Sequence, residues 1–254
     1  MKSLFSLVFI LFLGFFSFSQ EKNAFDVLSK AQNNIDNAFL KSFKSGVNYL
    51  KQIEKDLESI DNKKSLNIQF YKKYWLSYLK YKEAIFLLKN VDRENSEKKI
   101  SEAIAQLESI PNKDSEVYSL LSLEQSFNFQ FIPRQEFIVY MKRIDENLEK
   151  AITLNHKNLR AYYVNASYDF YTPEEYGGGA KTEKYLLKAI TLNDRTSTST
   201  FSPHWGKELS YGLLIEYYIK KKNKRLAEKY YQESVKKYPN SNYFNRYLKL
   251  IDNI

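Results

Sequence analysis

Apolar residues recur at intervals of three and four positions from Lys22 to the end of the chain. One example is the series Ile100, Ile104, Leu107 and Ile110, whose spacing places the side chains on one face of a helix. No segment shows the sustained alternation that is typical of a half-buried strand. The pattern predicts an all-α chain whose helices are separated by short breaks. These breaks fall near Ser45-Gly46, Asp61-Asn62, Asp92 to Asn95, Pro111-Asn112, Pro133, Asn155, Pro173 to Gly179, Asn193 to Pro203, Asn223 and Pro239-Asn240.

Composition supports long helices with few turns. The 254 residues include only 7 Gly and 5 Pro, too few for a fold built from many tight turns. The 21 Tyr and 18 Phe supply large rings that fill the gaps between packed helices.

A repeated pattern is clearest near the C-terminus. Its first helix carries Tyr211, Leu214, Ile215 and Tyr218, its second carries Ala227 and Tyr231, and Pro239 closes the unit. The sequence Lys-Ala-Ile-Thr-Leu-Asn also occurs twice, at 150–155 and 188–193. We expect the small side chains of Ala151, Ala189 and Ala227 to lie where two helices cross closely.

This spacing resembles the tetratricopeptide repeat family (W-x2-L-G-x2-Y, then A-x3-F and a closing P) over about residues 65 to 252. Weaker units begin at Trp75, Val117 and Tyr162. The resemblance implies a right-handed superhelical stack of antiparallel helix pairs, an α-solenoid. We therefore predict N-terminal capping helices over 20–64, and degenerate repeats with a C-terminal capping helix over 65–254.

The first residues have the pattern of a secretory signal peptide. Lys2 is followed by an apolar run from Leu4 to Phe16, and Ser17 and Ser19 have the spacing of a cleavage site. The alternative is an N-terminal anchor helix, but a span needs about 20 apolar residues. We predict removal of residues 1–19, a periplasmic or secreted mature chain, and no integral membrane span after cleavage.

The formal net charge of +9 permits several classes of partner. Lysines are spread along helix faces, often near Glu, and export argues against nucleic acid. The chain has no Cys and two His, His156 and His204, without carboxylates at metal-ligand spacing. Because no catalytic or nucleotide-binding motif is present, we predict no catalytic residue, no metal and no cofactor.

In a helical-repeat stack the first helix of each pair lines the concave face. The predicted register puts ten polar or aromatic residues there: Lys73, Lys80, Tyr118, Ser122, Gln125, Arg160, Tyr163, Ser167, Glu216 and Lys220. This mixture suits an extended peptide or a carboxylate-bearing segment. The alternative is that these are ordinary surface residues.

Two loops are further candidates. Gly177, Gly178 and Gly179 precede a predicted helix start, where free N–H groups could hold an anion; the alternative is a turn that the fold requires. Trp205 lies in a second loop, expected at the opposite edge of the stack, and either faces a ligand or plugs the groove between helix pairs.

Together these features predict a binding or scaffold protein for a protein or peptide partner rather than an enzyme. Two alternatives remain open. One is an accessory component of a solute-uptake system that binds a small molecule or a partner subunit. The other is a purely structural envelope protein.

Overall fold

The computed structural model describes the backbone of residues 2–61, 63, 65–195 and 197–254, and the side chains of these residues from Ala24 onward. Within this part the prediction of an all-α chain is confirmed. The helices are α1 (Lys2–Ser45), α2 (Leu50–Glu58), α3 (Leu66–Lys89), α4 (Arg93–Glu108), α5 (Ser115–Asn128), α6 (Phe137–Leu154), α7 (Leu159–Tyr171), α8 (Thr182–Thr191), α9 (Lys207–Lys220), α10 (Lys224–Lys237) and α11 (Asn245–Asp252). Short 3-10 turns occupy Phe129–Phe131, Arg134–Glu136 and Glu174–Tyr176.

The predicted signal peptide, residues 1–19, lies outside the residues whose side chains are described. Among the residues that are described, no helix combines the length and the apolar character needed to cross a membrane.

Helix starts follow from capping residues at the predicted breaks. The side chains of Asp114, Asn158 and Asn223 each accept a hydrogen bond from a backbone N–H in the first turn of α5, α7 and α10. Such caps satisfy donors that have no partner within the helix. The breaks expected near Pro111-Asn112, Asn155 and Asn223 are therefore real helix boundaries.

The chain divides into two compact units that are described separately. Unit 1 comprises residues 1–111 with 199–201, and unit 2 comprises 112–198 with 202–254. The sequence predicts capping helices over 20–64 and repeats from 65 onward, and that division stays a prediction. In the structure α3 and α4 belong with α1 and α2, because α3 packs against all three.

Unit 1 has a core of large apolar side chains. Leu28 and Ile35 of α1 and Leu50 and Leu57 of α2 are buried with rings of α3. Within this core the indole Nε1 of Trp75 donates to the carbonyl of Phe201 at 3.1 Å.

Unit 2 is built from consecutive helix pairs. The pairs are α5 with α6, α7 with α8, and α9 with α10. The first helices also pack on one another, α5 against α7 and α7 against α9, while α6 contacts α7 and α8 contacts α9. Finally, α11 packs against α9 and α10.

The three alanines expected at close helix crossings are all buried. Ala151, Ala189 and Ala227 have no exposed surface. In the α5–α6 pair the Ser115 hydroxyl donates to the Ala151 carbonyl at 2.6 Å, so these two backbones lie close together. A larger side chain at such a crossing would separate the helices.

Candidate binding face on α7 and α9

Two rows of side chains run along the packed helices α7 and α9. Tyr163, Ser167 and Tyr171 lie one turn apart on α7, and Gly212, Glu216 and Lys220 lie one turn apart on α9. Residues four apart share a helix face. We call these six residues, with Tyr243 and Arg246 described below, the α7–α9 face.

The face contains a cavity at the C-terminal ends of α7 and α9. Its volume is about 450 Å³. The lining residues are Phe170, Tyr171, Thr172, Pro173, Glu174, Glu216, Ile219 and Lys220. Tyr171 is 65% exposed at its rim, and the Lys220 ammonium lies 5.1 Å from the centroid of the Phe170 ring. The cavity thus offers aromatic surface, a cation and carboxylates together.

Gly212 lets the Tyr243 ring lie close against α9. A Cβ atom at this position would come within 2.5 Å of Cε1 of Tyr243. The guanidinium of exposed Arg246 then lies 4.5 Å from the centroid of the Tyr243 ring and 4.6 Å from that of Tyr247. It also donates to the Tyr243 hydroxyl at 2.9 Å. These contacts hold a planar cation in a fixed orientation.

The electrostatics keep this face rich in donors at neutral pH. Partial desolvation, followed by the negative charge of Glu216, raises the pKa of Tyr171 to about 12, so its hydroxyl stays protonated. Desolvation acts to lower the pKa of Arg246, but Tyr243, Tyr247 and Glu216 outweigh it and the pKa is raised. Arg246 therefore remains a cation.

Arg160, expected at the partner-binding surface, lies in the interior. It has no exposed surface. Its guanidinium donates to Oε1 of Glu116 at 2.6 Å and to the carbonyls of Asp194 and Trp205 at 2.7 and 2.9 Å. These bonds tie α5, α7 and the segment before α9 together. The prediction that Arg160 contacts a partner is wrong for this structure, because its guanidinium is buried in an ion pair with the Glu116 carboxylate.

Three other predicted groove residues are also buried. Ser122 donates to the Tyr118 carbonyl at 2.9 Å, and Gln125 accepts from Asn147 at 3.0 Å. Lys80, in unit 1, pairs with Glu54 at 2.9 Å and with Glu102 at 2.6 Å. Gln125 and Lys80 bond to polar side chains of neighbouring helices, and Ser122 bonds within α5. None of the three is available at a surface.

The remaining predicted residues are partly accessible. Lys73, in unit 1, donates to the Ser109 carbonyl at 3.1 Å. Tyr118 lies under the Lys150 ammonium, 5.6 Å from the ring centroid. Tyr163, Ser167, Glu216 and Lys220 belong to the α7–α9 face.

The triple-glycine loop does not offer free donors to an anion. The N–H groups of Gly177, Gly178 and Gly179 donate to carbonyls of Glu174, Pro173 and Asp169. The Asp169 carboxylate also accepts from the N–H of Lys181 at 2.9 Å and from that of Thr182 at 2.7 Å, so the chain supplies its own anion at the start of α8.

Each glycine of this loop has a conformational reason. Gly177 and Gly179 have φ of +85°. A Cβ on Gly178 would lie 1.9 Å from the Thr172 carbonyl oxygen. The loop is therefore a turn that the fold requires, which corrects the anion-site hypothesis.

Trp205 is a packing residue rather than a ligand-facing ring. It is 5% exposed, and its ring lies edge-on to Tyr163 with centroids 6.3 Å apart. The Trp205 carbonyl contacts Arg160 in the first turn of α7, while the glycine loop contacts Asp169 near its end. The two loops thus lie at opposite ends of α7, as predicted.

Four residues of the face were missed from the sequence, namely Tyr171, Gly212, Tyr243 and Arg246. Tyr171 is two turns beyond Tyr163, and extending the helical row would have found it. Tyr243 lies just before α11 and Arg246 lies in it, where the repeat motif is absent. Their place on the face is seen only from the packing of Tyr243 on Gly212.

Comparisons of the chain with models of protein families, with curated proteins and with solved structures found no match. Within the described residues no group of three or more His, Asp or Glu side chains is arranged to hold a metal ion.

Proposed function

We propose that this chain is an exported, non-enzymatic binding protein of the tetratricopeptide type, and that the α7–α9 face holds a peptide segment of a protein partner. The observation that carries the proposal is the joint presence on one face of an exposed ring, fixed cations and a cavity. A signal peptide over residues 1–19 and a periplasmic or secreted location are part of the proposal.

The helix packing of unit 2 supports the repeat assignment. In tetratricopeptide stacks the first helix of each pair packs against the first helix of the next pair. The second helix of a pair also contacts the first helix of the next, and the first helices together line the binding surface. The contacts of α7 with α5 and α9, and of α9 with α8, follow that order. The buried alanines at the pair crossings agree with the same register.

The chemistry of the face suits a peptide with an acidic group beside an apolar side chain. Arg246 and Lys220 are exposed cations that can bond a carboxylate. Tyr171 adds a rigid ring with a protonated hydroxyl, a combination common at protein interfaces. The cavity of about 450 Å³ is large enough for one apolar side chain of the partner.

Photocrosslinking tests this assignment directly. A photoreactive phenylalanine analogue placed at Tyr171 is expected to form a discrete adduct in cells, and mass spectrometry identifies its protein component. The control places the same group at Lys188, which is exposed on α8, the second helix of its pair. A partner held by the α7–α9 face crosslinks from position 171 and not from 188.

Other results would argue against the proposal. Equal adducts from both positions would indicate non-specific capture. The absence of a protein adduct, together with a small molecule retained by the chain in native mass spectrometry, would favour the solute-uptake alternative.

A further inference from the structure

The start of α6 carries an exposed apolar pair next to cations. Ile138 and Val139 are 73% and 67% exposed. Lys142 and Arg143 follow one turn later on the same sides of the helix and are exposed, as is Arg134 just before the helix. We call these five residues the α6 tip. Among the described residues, no other two consecutive large apolar side chains are both this exposed.

An aromatic base holds the tip in place. The ring centroids of Phe129 and Phe137 lie 4.5 Å apart, and those of Phe129 and Tyr140 lie 6.3 Å apart. The Tyr140 hydroxyl accepts a hydrogen bond from buried Asn128 at 2.9 Å. Because these groups anchor the first turn of α6, Ile138 and Val139 are presented outward from an ordered support.

Charge is graded along the helix away from the tip. Three cations, Arg134, Lys142 and Arg143, accompany one carboxylate, Glu136. Two further acidic groups, Asp145 and Glu146, follow two and three residues after Arg143, further from the tip. This order matches an anionic membrane surface: the apolar end suits the boundary of the acyl chains, the cations suit the anionic headgroups, and the acidic region lies further out.

We infer that the α6 tip docks onto the surface of an anionic lipid bilayer, with Ile138 and Val139 inserted among the headgroups. The three cations then lie at the level of the lipid phosphates, where long basic side chains extend toward the charged layer. This inference is independent of the proposed peptide-binding function.

A second copy of the chain is a poorer occupant. A stable protein interface buries on the order of 1,000 Å² or more. Two projecting side chains on a narrow tip provide far less, and cations around them would repel the same cations of another copy. A bilayer needs no complementary pocket, so a small projecting apolar tip suffices.

Vesicle flotation tests the inference. The exported chain, with its N-terminus established by mass spectrometry, is mixed with vesicles of phosphatidylglycerol and phosphatidylcholine, and separately with phosphatidylcholine alone. We expect binding to the anionic vesicles that weakens as salt is raised, because screening removes the attraction of the cations. Since every variant has the same N-terminus, differences between variants report on the tip.

Two tip variants separate the apolar and the charge contributions. Ile138→Asp with Val139→Asp should reduce partitioning at least about tenfold, because two side chains lose apolar insertion. These substitutions suit the first turn of a helix, where acidic residues are favoured. Lys142→Gln with Arg143→Gln should reduce partitioning onto the anionic vesicles about fivefold for each cation lost.

The matched control is Leu66→Asp. Leu66 is 83% exposed and, like Ile138 and Val139, lies in the first turn of its helix, but its immediate neighbours are not exposed large apolar residues. The Leu66→Asp substitution should leave partitioning onto the anionic vesicles unchanged.

Three outcomes would overturn the inference. They are no flotation of the wild-type chain with anionic vesicles at low salt, unchanged flotation of the Ile138→Asp/Val139→Asp variant, or an equal loss in Leu66→Asp. Concentration-dependent dimerisation that the tip variant abolishes, without vesicle binding, would assign the tip to self-association instead.

Discussion

Replacing Arg160 by Met should sharply destabilise the chain although it removes no apolar contact. Arg160 and Glu116 form a pair in which the cation has no exposed surface and the carboxylate-bearing residue is 7% exposed. In Arg160→Met the Glu116 carboxylate stays buried without its partner. The carbonyls of Asp194 and Trp205 also lose the donors that now lie 2.7 and 2.9 Å away.

The size of the effect follows from these lost partners. Breaking a buried ion pair by removing one member costs about 3–5 kcal/mol of unfolding free energy. Removing both charges, in Arg160→Met with Glu116→Met, leaves mainly two carbonyls without a donor, and each costs roughly 1–3 kcal/mol, a loss that the single variant shares. The double variant should therefore be more stable than the single one.

Urea unfolding followed by circular dichroism at neutral pH measures all three chains. We expect the wild-type chain to unfold at the highest urea concentration, the double variant at a lower one, and Arg160→Met at the lowest. An Arg160→Met chain that unfolds at the wild-type midpoint would show that Arg160 is exposed in solution, and would return it to the set of candidate partner contacts.

Three further outcomes follow from packing and from raised tyrosine pKa values. Ala189→Leu should lower the unfolding free energy by roughly 1–3 kcal/mol because it overpacks a close helix crossing, and an unchanged melting temperature would contradict this. Gly178→Ala should also lower the melting temperature, since its Cβ would lie 1.9 Å from the Thr172 oxygen; a chain that melts like the wild type would mean that the loop adopts another path. Desolvation, aided by nearby carboxylates, raises the pKa values of Tyr168 and Tyr171 from 10.0 to about 12, so the folded chain keeps protons that the unfolded chain has lost. Stability should therefore be level below pH 10 and fall between pH 10 and 12, whereas a flat profile across that range in urea unfolding would contradict the shifts.

The helices and their breaks could be predicted from the sequence because both depend on local rules. Apolar spacing, capping side chains and small residues at crossings are readable one segment at a time. Whether a polar side chain points inward or outward cannot be predicted in this way, because it depends on a partner that is distant in the sequence. Arg160 has the right spacing for a groove residue, but Glu116, in another helix, makes the interior its better environment.

The same limit explains the loops and the missed residues. The glycines at 177–179 were recognised as exceptional, but the identity of the internal acceptor, Asp169, required the fold. Likewise, Gly212 reads as a weak helix position until Tyr243 is seen against it.

The most direct test of the binding face is the dissociation constant of the partner identified by crosslinking, measured by calorimetry with purified components. The test variant is Tyr171→Ala with Lys220→Glu. Its control, Leu154→Ala with Lys188→Glu, makes an equal charge change and also truncates a large side chain to Ala, on second helices and at positions that are likewise exposed. We predict a loss of affinity of at least about tenfold for the test variant and wild-type affinity for the control. Unchanged affinity of a folded test variant, or an equal loss in the control, would contradict the assignment of the α7–α9 face.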